Sequence, residues 1–572
     1  MKLKNNIIIG VTGMMALGLG SCSDFLEIEP LNDIVLDKFW NEENDVENIV
    51  AGCYSGMQNR ILIERMIVWG ELRSDHLIGG TGVQDNINIQ NILKENITAN
   101  NVYTSWGEFY DIINRCNTVL HYSPLVAERD PNYTETELMA TRAEVSAIRD
   151  LCYFYLIRTF RDVPYSTQPF LDELQQMAMP ATKFDAVLDS LITDLENVKS
   201  YAVKTYPVSK TNYQCGRITQ DAIHAMLAEM YLWKKDYANS VRYADMVIDS
   251  KTQRYQNEID NIGSNSSAYK MFEDYPLIYD SYTSGNYYGN AYESIFGSGA
   301  SRESILELIF ADDNTLLANH GLSFLYGNQK TSPGIVKPAD FITTDVSDAS
   351  YKVYRDKYDT RYYENLYKMS ASQYGVAKYV CKNGMVTVSS TEISAMSQYP
   401  SYPEKYCHAN WILYRLTDVM LLKAEALVQM VEGDAKSEVN DSLLRAAYDI
   451  VSVINKRSNC ATTYTPITYA NYSTKSQMEN LVFEERAREL MFEGKRWYDL
   501  VRRSLRDGNT SYLVQQVTRK GSDNASVVQA KLAKMDAIFW PYNLEELKVN
   551  PYLVQNPAFG SGDDNSYQNT TK

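Results

Sequence analysis

The stretch from Ile218 to Ser250 constrains this chain more than any other, because it fits one unit of a helical hairpin repeat. Leu227, Ala228 and Tyr231 occupy the large, small and large positions of a first helix, and Asp236 and Tyr237 supply the turn. Ser240 then places a small side chain where the second helix crosses the first, a point at which backbones approach closely. The spacing is that of a tetratricopeptide-like unit of about 34 residues. One such hairpin cannot bury both faces alone, so it predicts neighbours that stack on it. Looser copies lie at 143–202 and 411–457, where Ala424, Ala426, Ala446 and Ala447 are the small residues.

Helical periodicity also covers 37–65, 106–122, 139–160, 184–202, 411–431, 438–457 and 477–505, while the clearest strand runs from Ser304 to Phe310. The fold class is therefore mainly α, a tetratricopeptide-like scaffold with few short strands. Between about 251 and 410 the pattern gives way to Gly, Ser, Asn and Tyr, with seven tyrosines from Tyr269 to Tyr292 and eight from Tyr351 to Tyr379. A long loop region this aromatic reads as an ordered, irregular insert carried on the helices. The whole chain holds 44 Tyr against 16 Phe. Because a buried tyrosine must satisfy its hydroxyl, that excess points to surfaces and clefts as well as core.

At the start, Lys2 and Lys4 precede an apolar run from Ile7 to Leu19 that ends in Leu19-Gly20-Ser21-Cys22. The run is shorter than the roughly 20 residues a membrane helix needs and has the form of an export signal. Its ending resembles a bacterial lipoprotein box, which implies acylation of Cys22 and an anchor in a membrane. The expected organisation is a signal peptide over 1–21, a lipidated tether over 22–36 and a single domain over 37–572. That domain comprises an N-terminal helical scaffold (37–250), the insert (251–410) and a C-terminal helical region (411–572).

The net charge of −17 argues against nucleic acid as a partner, since phosphates require a basic stripe. The seven cysteines after Cys22 are scattered without a CxxC pair and read as buried free thiols. The histidines lack zinc-ligand spacing, so no metal and no cofactor is expected. No GxSxG elbow or phosphate loop occurs. A glycoside hydrolase needs two carboxylates at a set separation, which cannot be read out of 72 acidic residues. The sequence favours binding over catalysis, and the protein is not expected to be an enzyme.

The densest signal is the run from Phe483 to Arg503. Phe483, Ala487, Leu490, Met491, Gly494, Trp497, Leu500 and Val501 recur at helical spacing. Glu484 with Arg488, and Asp499 with Arg503, stand four apart on what reads as a solvated flank. This run resembles the C-terminal signature of the SusD/RagB family of nutrient-uptake lipoproteins. Further matches follow in family order: Cys22-Ser-Asp-Phe-Leu-Glu, Trp69-Gly-Glu-Leu-Arg-Ser-Asp75, Arg161-Asp-Val-Pro164, Glu303-Ser-Ile-Leu-Glu-Leu308, Arg415-Leu-Thr-Asp-Val419 with Ala424-Glu-Ala426, and Asn550-Pro-Tyr-Leu-Val-Gln-Asn-Pro557. Ala558 and Asp162 are small departures from the family pattern. The resemblance implies a surface-exposed lipoprotein of the outer membrane that hands a ligand to a SusC-like TonB-dependent transporter. That ligand is most often an oligosaccharide and in some members a peptide.

Sugar rings stack on aromatic faces, and their hydroxyls need Asp, Asn, Arg or Tyr partners. Tyr287 and Tyr288 beside Asn286 and Asn290 offer that mixture, as do Tyr326 with Asn328, and Arg361 with Tyr362 and Tyr363. Trp69, Arg73, Asp75 and His76 form a second group. The resemblance brings the loop after them, Leu77 to Val83, toward the ligand. The alternative for this group is structural, with Trp69 in the core and Arg73 in an ion pair. A third function class, an adaptor with no ligand of its own, would make the tyrosines interface residues.

Overall fold

The computed structural model describes residues 39–560, apart from 173, 263–269, 281–286, 311–317, 329–331, 344–352, 357, 371–372, 382–385, 389–392, 396–406, 434–436, 462–463 and 522–524. The export signal, Cys22 and the tether lie outside the described residues. Among those described, no helix is long and apolar enough to cross a membrane.

The helix expected over 37–65 is two helices, α1 (Glu43–Met57) and α2 (Arg60–Ile67). The break has a local cause: the Asn59 side chain accepts the Ile61 N–H at 2.8 Å and caps the second helix. The chain then builds a stack from α3 (Gly107–Arg129), α4 (Glu135–Phe160), α5 (Phe184–Val198), α6 (Gln220–Lys234) and α7 (Tyr237–Ile262). The C-terminal helices α8 (Leu416–Gln429), α9 (Glu438–Arg457) and α10 (Lys475–Glu489) continue it, with α8 packed on α7 and α9 on α8.

The α6–α7 hairpin is the repeat unit read from the sequence. Ser240 is buried at the crossing, and its hydroxyl donates to the Ala228 carbonyl at 2.8 Å. Tyr231 stacks on Tyr243 with ring centroids 5.7 Å apart, and both hydroxyls donate to Glu196 Oε1 of the preceding helix, at 2.7 and 2.6 Å. Burial pushes the Glu196 carboxyl up, but hydrogen bonds from Lys199, Tyr243 and Tyr231 outweigh it and pull the pKa to about 2. One polar residue thus ties two hairpins together.

Two other helical expectations are corrected. Within 411–431, Trp411–Arg415 is a strand paired antiparallel with Ser304–Leu308, the strand expected from Ser304, and both are buried along their length. The run 477–505 is broken between α10 and α11 (Arg496–Asp507), where Phe492 and Gly494 take φ of +65° and +70°. Apart from exposed Glu484, its charges are mostly buried rather than solvated. Asp499 pairs with Arg486 at 2.9 Å and Arg502 at 2.8 Å, not with Arg503, and Arg488 holds Glu485 at 2.8 Å while Glu484 stands 3.9 Å away. A buried charge survives only when paired, which is why these residues meet one another inside the fold.

The main hydrophobic core runs from Trp40 to Leu553 and takes in Tyr326, Tyr354 and Tyr379 of the insert. All seven described cysteines are buried and free.

Candidate ligand-binding face

Beyond the core, the insert meets the N-terminal region along a short antiparallel pair, Leu77–Gly79 with Val336–Pro338, in which Ile78 faces Lys337. The Gly80 N–H donates to the Ile335 carbonyl at 2.7 Å. A Cβ on Gly80 would fall 2.4 Å from the Gly334 carbonyl oxygen, so only glycine lets the two backbones approach this closely. A hairpin of Leu366–Ser370 and Gln373–Val376 packs against the Val336–Pro338 strand. The one-turn helix Arg361–Asn365 leads into it.

Three half-buried tyrosines gather there: Tyr362, Tyr363 and Tyr374. The Tyr362 ring lies edge-on to Tyr363 at 5.0 Å and to Tyr354 at 5.5 Å, and its hydroxyl is 3.4 Å from that of Tyr374. Exposed Lys368 sits with its ammonium 5.9 Å from the Tyr374 ring centre. Burial and the neighbouring Tyr374 hydroxyl raise the Tyr362 pKa above the ordinary phenol value, so it stays a neutral donor in physiological solution. A packed tyrosine with part of its ring open offers an apolar face at low entropy cost together with a hydroxyl. The patch therefore suits a ligand with C–H faces and many hydroxyls.

The profile of the SusD family matches residues 231–559, and one described as starch-binding associating with outer membrane matches residues 24–232. The chain belongs to the SusD family. Among its relatives, SusD-like protein P38 of Formosa agariphila is 25% identical, over 98% of this chain and 100% of the relative. SusD-like protein P2 of the same organism is 23% identical over 86% and 90%. The fold is shared with a SusD superfamily protein of Bacteroides thetaiotaomicron (TM-score 0.61, 19% identity, 91% of this chain and 99% of that one). It is shared equally with a laminarin-binding SusD-like protein (TM-score 0.60, 18% identity, 91% and 100%).

Within this SusD-family fold most residues singled out in the sequence are buried. Trp69 is fully buried, stacks on Phe109 at 5.0 Å and donates its indole N–H to the Tyr103 carbonyl at 2.7 Å. Arg73 is buried between Glu95, at 2.8 Å, and the Ala537 carbonyl, at 2.6 Å, with Trp497 under its guanidinium at 4.3 Å. Asp75 is held by Arg496 at 2.8 Å. Burial pushes the Asp75 carboxyl up, but the Arg496 guanidinium outweighs it and holds the pKa below the carboxylate range. His76 Nδ1 meets Glu71 Oε1 at 2.7 Å. Tyr326 is buried and donates to the Phe492 carbonyl at 3.0 Å, and Arg361 is buried among Asp359, Glu485 and Glu489 at 2.8, 2.7 and 3.0 Å. These six side chains are built into the scaffold, because their polar atoms are spent on it. Of the singled-out residues with described side chains, Tyr362 and Tyr363 reach the surface patch. Tyr287 and Tyr288 form a strand paired with Val386 and Thr387, and their side chains lie outside the described part.

Tyr374 and Lys368 were not singled out in the sequence. The signal available was Tyr374-Gly375 inside a strand: a Cβ on Gly375 would fall 2.3 Å from the Tyr367 ring, the close approach that a strand glycine marks.

A second cleft, of about 470 Å³, opens between α3, residues 164–179 and the C-terminal 546–553 segment. Its side-chain amides are already committed: Asn114 to Phe170, Asn117 to Ser166 and Gln168, and Asn550 to Met179. The Tyr110 and Tyr153 hydroxyls are likewise given to the Pro164 and Ser166 carbonyls, and apolar Trp106, Phe170 and Met177 line much of the rest, with Glu546 the carboxylate in its wall.

Proposed function

We propose that the protein is an outer-membrane lipoprotein, exposed at the cell surface, that binds an oligosaccharide without cleaving it and delivers it to a SusC-like TonB-dependent transporter. The observation that carries this reading is family membership over most of the chain together with a tyrosine patch of the chemistry sugars require. A fold relative that binds laminarin makes glucans the first ligands to try. The starch-binding, outer-membrane description of the N-terminal match supports both ligand class and location. The Leu19-Gly20-Ser21-Cys22 ending supports the anchor. A peptide ligand is the second reading, favoured by the resemblance to RagB and by a tyrosine surface that peptides also use.

Calorimetric titration of the mature protein against laminarin, starch fragments and a peptide mixture tests the ligand class. Saturable heat with one glucan and none with peptides is expected. Peptide binding with no glycan response would turn the assignment to a peptide importer, and release of shortened sugars would make the protein a hydrolase.

A further inference from the structure

Asp75 and His76 also border a cavity of about 60 Å³. It is tied to the tyrosine face through the backbone, since His76 opens directly into the Leu77–Gly79 strand and its carbonyl accepts the Ala339 N–H at 2.9 Å. Three arginines from three elements line it: Arg488 of α10, Arg496 at the start of α11, and Arg519, which follows the helix Ser511–Thr518.

Their charges are unevenly answered. Arg488 gives Nε and Nη2 to Glu485 and Nη1 to the Val353 carbonyl, so it is satisfied. Arg496, 3% exposed, gives Nε and Nη2 to Asp75, while its buried Nη1 has no hydrogen-bond partner. Arg519 lies over the Phe341 ring at 4.4 Å and gives Nη1 to Gln516 at 3.0 Å, with no carboxylate bonded to it among the described residues. Glu484 also borders the cavity, but its side chain is 56% exposed and its charge is screened by solvent. An unpaired guanidinium nitrogen in a buried place costs free energy unless something accepts from it.

We infer that this cavity is a binding site for one compact carboxylate, held between Arg496 Nη1 and the Arg519 guanidinium. The planar fork of arginine matches the two oxygens of a carboxylate. The volume admits a single such group and little more. Asp75 on the same wall disfavours a dianion such as phosphate. The same chemistry arises from a free small carboxylate or from the acid group of a charged sugar. The second source rests on the proposed glycan reading; the first does not.

The test titrates mature protein with sodium acetate and sodium glucuronate at constant ionic strength set by chloride, with glucose as the neutral control. Saturable binding of acetate or glucuronate, absent for glucose, is expected. Binding of acetate alone identifies a free carboxylate as the ligand, and binding of glucuronate identifies the sugar acid. Arg519→Gln, chosen because the half-buried Arg519 carries no buried ion pair, should weaken binding about tenfold, the loss of one charge-assisted contact. Its laminarin titration should be unchanged, so failure of this site and failure of the glucan reading are distinguishable. No saturation by either anion, or equal affinity in Arg519→Gln, overturns the inference.

Discussion

Gly70 lies directly against Gly494: a Cβ placed on Gly70 would stand 1.9 Å from the Gly494 carbonyl oxygen. Gly70 belongs to the Trp69–Asp75 segment and Gly494 to the C-terminal signature run, so two distant motifs meet at one backbone contact. The obstacle is main chain in the left-handed region, with φ of +70° at Gly494, and cannot rotate away.

Gly70→Ala should therefore destabilise the fold by about 3 kcal/mol, at the upper end of overpacking costs. The urea midpoint of the variant against parent measures this. An unchanged midpoint would mean that the contact relaxes freely.

Asp499 is the acid of a buried cluster with Arg486 and Arg502. Burial raises its pKa, but the two guanidinium groups outweigh it and bring it to about 2. The folded pKa lies below the unfolded value of about 3.9, so the stabilisation, about 2 kcal/mol, is present above pH 4 and is lost as pH falls toward 2. Asp499→Asn should lose about 3 to 5 kcal/mol at pH 7, because it leaves two arginines short of a partner. It should also flatten the acid limb of the stability profile between pH 4 and 2. Denaturant melts across that range decide it.

Glu364 has the opposite sign. Burial, then the neighbouring Asp280, push its carboxyl up to about 8 against the pull of Arg457. The folded chain keeps a proton that the unfolded chain releases above about pH 4.3, so stability falls as pH rises from there to 8. Glu364→Gln imitates the protonated acid. Its melting temperature should match the parent near pH 5 and exceed it at pH 8.5; a deficit at both values would contradict the assignment.

The hairpin Gln220–Ile262 was legible because its determinants are local: helical spacing, a turn, and a small residue at Ser240. The breaks at Asn59 and at 490–495 were not, since an uninterrupted apolar periodicity says nothing about a side-chain cap or a positive φ at Phe492. The site misled for a related reason. Trp69, Arg73, Asp75 and Arg361 have the chemistry of ligand contacts, yet in a fold this rich in buried ion pairs the same residue types serve the interior. Arg73 finds Glu95 and Arg361 finds Glu485, partners 22 and 124 positions away that no local pattern reveals.

Cys22→Ala should block lipid attachment and release the protein from the outer membrane. Fractionation followed by surface labelling checks it. Retention of the variant in the outer-membrane fraction would contradict lipid anchoring through this residue.

The claim that sugars stack on the insert tyrosines is tested most directly by calorimetry of Tyr362→Ala/Tyr374→Ala against the best-binding glucan. Each stacked ring contributes about 0.5 to 1.5 kcal/mol, so the double variant should bind about five- to a hundredfold more weakly while melting cooperatively. A folded double variant that binds the glucan as tightly as the parent would contradict it.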